Sequence, residues 1–140
     1  MQIFSPVADF QEIANCLDNK RLNKQKIEIF QILNCISLGE NARGWKNHPA
    51  VKMARGYEQF FIEYALIIAN KCLANGWKDT MIPRILNLKG KFSNQYIIPP
   101  YWGDEKFHLS HKSNLIKKLP SHYSKFWPDV PNDLPYYWPI

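Results

Sequence analysis

The sequence predicts an all-α fold: a single compact domain over residues 1–140, with three principal helices, long loops and an aromatic, proline-rich C-terminal strap. Three observations predict it. Apolar residues recur at helical spacing in three long segments. Each segment is bracketed by helix start and stop signals. No stretch alternates apolar and polar residues as a half-buried strand does. The length suits one domain, and 46% hydrophobic residues are enough to build a core.

Two signals open the first helix. Ser5-Pro6 offers a proline for a first turn, and Asp9 with Glu12 can form a capping box. The pattern then runs to Leu38, with a break near Asp18, and Gly39 is the C-terminal stop. The second helix is capped by Asn47 or His48, has Pro49 in its first turn and stops at Gly76. Val51, Ala54, Phe61, Ile62, Ala65, Ala69, Cys72 and Leu73 fall on one face. Unbroken, it would be about 40 Å long. Residues 79–101 form a connection with room for one short helical turn over 82–88. The third helix spans 104–119 and is closed by Pro120, with a short turn at 121–126. The strap is residues 127–140.

The net charge of +6 and pI near 9.2 favour anionic partners: nucleic acid, phosphorylated ligands or anionic membrane. The longest apolar run, residues 65–69, is too short to span a bilayer. The N-terminus has no signal-peptide pattern, so a cytoplasmic location is expected. The cysteines Cys16, Cys35 and Cys72 show no C-x-x-C spacing, and with the four histidines they make no zinc signature. Reduced, buried thiols are expected, with no metal and no cofactor.

Polar groups interrupt faces that otherwise bury carbon. On the first helix Leu22, Ile29, Ile32, Leu33 and Ile36 share a face with Asp18, Arg21 and Gln25, and Glu28 borders it. Burying charge is costly unless it is paired or wet. The stripe therefore reads as leaving the core to line a cleft, or as an Asp18–Arg21 ion pair on a solvated helix end. Four cations in seven residues, Lys20, Arg21, Lys24 and Lys26, add a phosphate-binding surface. Glu58 falls mid-face on the second helix, between Ala54 and Phe61. Such a carboxylate needs a cation or several hydrogen bonds, and the same setting makes general acids. Asp18, Arg21 and Glu58 are therefore expected to meet in one site. On the third helix His111, Asn114 and Lys118 cluster with Phe107 and Leu115. Arg43, Lys46 and His48 flank Trp45, a grouping of cations with an aromatic that suits a phosphate backbone and a stacked base, unless Trp45 packs in the core.

Taken together, these segments resemble the pyrimidine-dimer DNA glycosylases, the phage endonuclease V family. The resemblance rests on the order and spacing of three pieces. One is His48-Pro49-Ala50-Val51 through Gly56-Tyr57-Glu58-Gln59-Phe60-Phe61, closing with Cys72-Leu73-Ala74-Asn75-Gly76-Trp77-Lys78-Asp79. The second is Pro120-Ser121-His122-Tyr123-Ser124-Lys125-Phe126-Trp127. The third is Cys16-Leu17-Asp18-Asn19-Lys20-Arg21-Leu22. The resemblance implies a small helical, metal-independent enzyme that flips a base, attacks the sugar with its N-terminal α-amine and uses a glutamate on the first long helix. An ungapped match puts Asn23 at that glutamate position, and the family's early arginine is absent.

The expected function is a DNA N-glycosylase for a damaged or modified base, with or without an AP-lyase step. The alternative is a non-catalytic DNA- or nucleotide-binding module on the same scaffold. The expected catalytic group is Met1, Asp18, Arg21 and Glu58, with Asp18, Glu28 or Glu58 replacing the family glutamate. Expected DNA contacts are Lys20, Lys24, Gln25, Trp45, Lys46, His48, Tyr57, His111, Asn114 and Lys118. The expected partner is duplex DNA with a flipped base, bound by a monomer away from membranes.

Overall fold

The computed structural model describes residues 2–140; Met1 lies outside the described residues. The described residues form seven α-helices and no strand. These are α1 (Phe10–Cys16), α2 (Asn19–Leu38), α3 (Pro49–Ala54), α4 (Glu58–Ala74), α5 (Met81–Lys89), α6 (Glu105–Lys118) and α7 (Pro120–Tyr123). Two 3-10 turns, Gly39–Asn41 and Trp45–Asn47, fill the loop between α2 and α3. None of the described helices is long and apolar enough to cross a membrane.

The all-α class holds, with two of the principal helices divided. The first divides where Leu17 and Asp18 take extended backbone angles, so α1 and α2 point differently. The second divides at Gly56, whose φ of 93° lies in the left-handed region that glycine enters readily. That break resets the helical phase. Glu58 becomes the first residue of α4, where a carboxylate meets the positive end of the helix dipole, instead of a mid-face intruder. Leu73, placed on the inner face by a continuous helix, is 46% exposed. The short turn expected over 82–88 extends to the nine residues of α5.

The start signals sort themselves by hydrogen bonding. Asp9 caps α1, its Oδ1 accepting the Glu12 N–H at 2.8 Å. His48 caps α3 through Nδ1, and Asp104 caps α6. The Ser5-Pro6 start is unused, because residues 2–8 run without helix across the bundle. Gly39 and Gly76 both have positive φ and end α2 and α4.

Helices α2 and α4 form the central pair, with α1 and α5 packed on α4. Leu22, Ile29, Ile32 and Leu33 of α2 meet Ile62, Ala65, Ile68 and Ala69 of α4 in a core where each is at most 1% exposed. All three cysteines are free and buried. One ion pair is buried here too: Lys26 Nζ sits 3.0 Å from Asp79 Oδ1, tying α2 to the turn before α5, so Lys26 faces inward and leaves the expected phosphate-binding surface to Lys20, Arg21 and Lys24.

The N-terminal segment is held by side chains. Phe4 N–H donates to Gln25 Oε1, and Phe4 O accepts from Gln25 Nε2 and the Tyr64 hydroxyl. Ser5 N–H donates to His111 Nδ1 at 2.9 Å, and Ser5 O lies 2.7 Å from His108 Nδ1. An extended segment has no ladder of its own, so its buried peptide groups need such partners. Burial and the neighbouring His108 lower His111 to about 3. His111 in the unfolded chain regains its ordinary value near 6.5. Between those values the unfolded state binds the extra proton. Stability is therefore complete above pH 6.5 and is lost as pH falls toward 3, by about 1.4 kcal/mol per pH unit from this group. Urea unfolding at pH 7 and pH 5 should show the loss, and His111→Asn should flatten it.

Candidate functional site

Pinning Phe4 and Ser5 places Gln2 at the rim of a cleft of about 370 Å3. Its floor is one face of α2: Lys20, Arg21, Lys24, Gln25 and Glu28, which recur at helical spacing. Gln2 and Phe4 line it from the N-terminal segment, Lys118 from the end of α6, and Tyr136 and Trp138 from the strap. The strap reaches the cleft because α6 ties it down. Asn114 Nδ2 donates to Leu134 O, Leu134 N–H to Ser113 Oγ and Tyr137 N–H to Ser110 Oγ.

The cleft is strongly cationic. Lys20, Arg21, Lys24 and Lys118 face a single carboxylate, Glu28. Among the described residues Lys20, Lys24 and Lys118 pair with no carboxylate. Arg21 is held from behind: its Nη1 donates to Asp18 Oδ1 at 3.2 Å. Asp18 in turn accepts from the Tyr123 hydroxyl, while its own N–H donates to that oxygen at 3.0 Å. Burial alone would raise the Asp18 carboxyl. The hydrogen bonds from Tyr123 and Arg21 outweigh it and hold Asp18 below the ordinary carboxylate range.

The expected site residues therefore divide. Lys20, Arg21, Lys24, Gln25 and Lys118 come together in the cleft, with Gln25 buried and turned to Phe4 and Tyr64. Asp18 lies behind Arg21 and does not line the cleft. Glu58 is on another element and makes no hydrogen bond or ion pair with Asp18 or Arg21; its Oε2 is buried without a hydrogen-bond partner. The expected Asp18–Arg21–Glu58 cluster is thus only the Asp18–Arg21 pair. His111 is 1% exposed and committed to Ser5, and Asn114 to the strap, so both shape the cleft without facing it. Tyr57 is half-buried, edge-on to Tyr101. Trp45 is 57% exposed, edge-on to His48, which is edge-on to Trp138 of the cleft wall. Burial lowers His48 from its ordinary value. Lys46 gives its carbonyl to Arg55. Trp102 is packed among Phe10, Phe60 and His108.

Gln2, Phe4, Tyr136 and Trp138 were not expected in the site. The route of the strap and of the first eight residues carries no periodic signal. Glu28 did carry one: it lies four residues from Lys24 and eight from Lys20, on the same side of α2. Asn23 is five residues from Glu28, so the two are about 140° apart around the helix. Asn23 faces a separate groove with Asn19, Trp77 and Lys78.

An all-α protein whose own N-terminal segment is built into a cationic cleft with one carboxylate is thereby defined. Residues 1–83 match the sequence profile of the pyrimidine dimer DNA glycosylases, more than half of the chain, and the protein belongs to that family. The match ends within α5, so α6, α7 and the strap lie beyond it. No curated protein and no solved structure matches the chain.

Proposed function

We propose that the cleft excises a damaged or modified base from duplex DNA, with Glu28 as its catalytic carboxylate and the α-amine of Met1 as its nucleophile. The observation that supports this is the convergence of Gln2, four cations and Glu28 on one hollow. The cations fit the phosphates on either side of an extrahelical nucleotide. Tyr136 and Trp138 give the base aromatic faces to lie against. Asp18 is a positioning residue that aims Arg21.

In the proposed reaction the amine lone pair forms a bond to C1′ of the sugar. The C1′–N bond to the base breaks, and its electron pair leaves with the base, which takes a proton. The carboxylate of Glu28 stabilises the positive charge that develops at the sugar. Loss of a proton from nitrogen and breaking of the C1′–O4′ bond, whose oxygen takes a proton, leave an imine; loss of a proton from C2′ then forms the C2′–C3′ double bond as the C3′–O bond breaks and the 3′ phosphate leaves.

Incubation with duplexes bearing different lesions, with and without borohydride, tests this reading. The expected result is release of a base from at least one lesion and a trapped covalent complex with borohydride. Binding without release of any base would instead favour a non-catalytic module.

A further inference from the structure

The second groove on α2 has no role in the account above. It is about 550 Å3 in volume and is lined by Asn19, Lys20, Asn23, Lys24, Trp77 and Lys78. It shares Lys20 and Lys24 with the cleft, so those two side chains border both hollows. Three lysines line it, and no carboxylate does. Of the acids adjacent to lining residues in sequence, Asp18 is paired with Arg21 and the Tyr123 hydroxyl, and Asp79 is turned inward, where Lys26 Nζ and the Ile82 N–H occupy its two oxygens. Its charge is therefore spent inside the protein. Trp77 follows the left-handed turn at Gly76, and its backbone N–H donates to Cys72 O, which holds the backbone that carries the half-buried ring at the groove wall.

We infer that this groove is a second DNA subsite, holding the sugar–phosphate backbone next to the nucleotide that occupies the cleft. The inference rests on the reading of the cleft as a DNA site. Lys20 and Lys24, one helical turn apart, would be shared between neighbouring phosphates. Lys78 would meet the next phosphate along, with the Asn19 and Asn23 amides as further donors. Trp77 offers an aromatic face to the sugar or base of that nucleotide. The same geometry gives Asn23 a use: a neutral donor here tolerates a phosphate that a carboxylate would repel.

The test is the salt dependence of duplex binding by the full chain. The wild type should show a steep log–log slope, about −0.9 for each phosphate neutralised. Lys78→Gln should make that slope shallower by about 1. Asn23→Asp should weaken binding at low salt. Lys52→Gln, at an exposed lysine lining neither hollow, should change nothing. All four chains are checked for folding by circular dichroism. A steep wild-type slope that Lys78→Gln and Asn23→Asp leave unaltered overturns the second subsite and leaves the cleft reading intact. A flat wild-type slope overturns both.

Discussion

Glu28→Gln should abolish base release, a loss of about 10²–10⁴-fold in turnover, the range that a positioned acid–base group supplies. The change is close to isosteric and removes only the charge. Glu28 is half-buried on the cleft floor and outside the packed core, so the fold should persist. Duplex binding should be kept or tightened, because a negative charge beside the phosphates has gone. Asp18→Asn should behave differently. It loosens the hold on Arg21 and removes the acceptor of the Tyr123 hydroxyl, so binding should fall together with turnover. Glu58→Gln should leave turnover within a few-fold of wild type, since Glu58 contacts neither the cleft nor the Asp18–Arg21 pair. Single-turnover base release measured beside duplex affinity separates the three. Full activity in Glu28→Gln would remove the carboxylate from the account.

Lys26→Met should cost about 3–5 kcal/mol of folding stability, because it leaves Asp79 without its cation in a dry site. The two side chains are 4% and 3% exposed, so solvent screening gives little relief. Burial would raise the Asp79 carboxyl, but the Ile82 N–H and Lys26 together hold it below its ordinary value. For a chain of this size the loss corresponds to a fall in Tm of roughly 10–20 °C. Asp79→Asn in the Lys26→Met background should recover part of the loss, since an amide oxygen can still accept the Ile82 N–H in the first turn of α5. Thermal unfolding of the two single variants and the double variant measures the coupling directly. A change in Tm below about 3 °C for Lys26→Met would mean that the pair contributes nothing net.

The helices were legible because their signals are local. Asp9, His48, Asp104, Gly39 and Gly76 act within one turn of chain, and each ends or begins an element where its chemistry dictates. Gly56 was harder to weigh: a glycine inside an apolar 3.6-residue pattern can sit in a helix at modest cost or turn left-handed and end it. Its choice displaced Glu58 from the expected cluster. The α2 half of the site was legible for the same local reason. Lys20, Arg21, Lys24 and Gln25 follow from helical spacing, and Glu28 joins them by extending that spacing one turn. The rest depends on contacts far apart in sequence. Gln25 and His111 reach Phe4 and Ser5 across 21 and 106 residues, and nothing near residues 2–8 announces those partners. The strap is the same case. Its prolines and aromatics announce an extended segment, but contacts distant in sequence, from Ser110, Ser113 and Asn114 to its backbone and from His48 and His111 to its rings, bring Tyr136 and Trp138 to the cleft. The ungapped family match puts Asn23 at the glutamate position, and α2 turns positions 23 and 28 toward different hollows.

The central claim is that chemistry happens where residues 2–4, α2 and the strap meet, at the start of the chain. Borohydride reduction of the protein on a duplex carrying a single abasic site, followed by peptide mapping of the adduct, tests it most directly. An abasic site is used so that the outcome does not depend on knowing the lesion. An α-amine titrates near ~8 and a lysine near ~10.4, so at neutral pH the amine is far more often the free nucleophile. The account predicts the sugar attached to the α-amine of Met1, and loss of the adduct, with duplex binding retained, when the N-terminus is extended by a few residues. An adduct on a lysine outside the cleft, such as Lys52 or Lys106, or one undiminished by the extension, would contradict it.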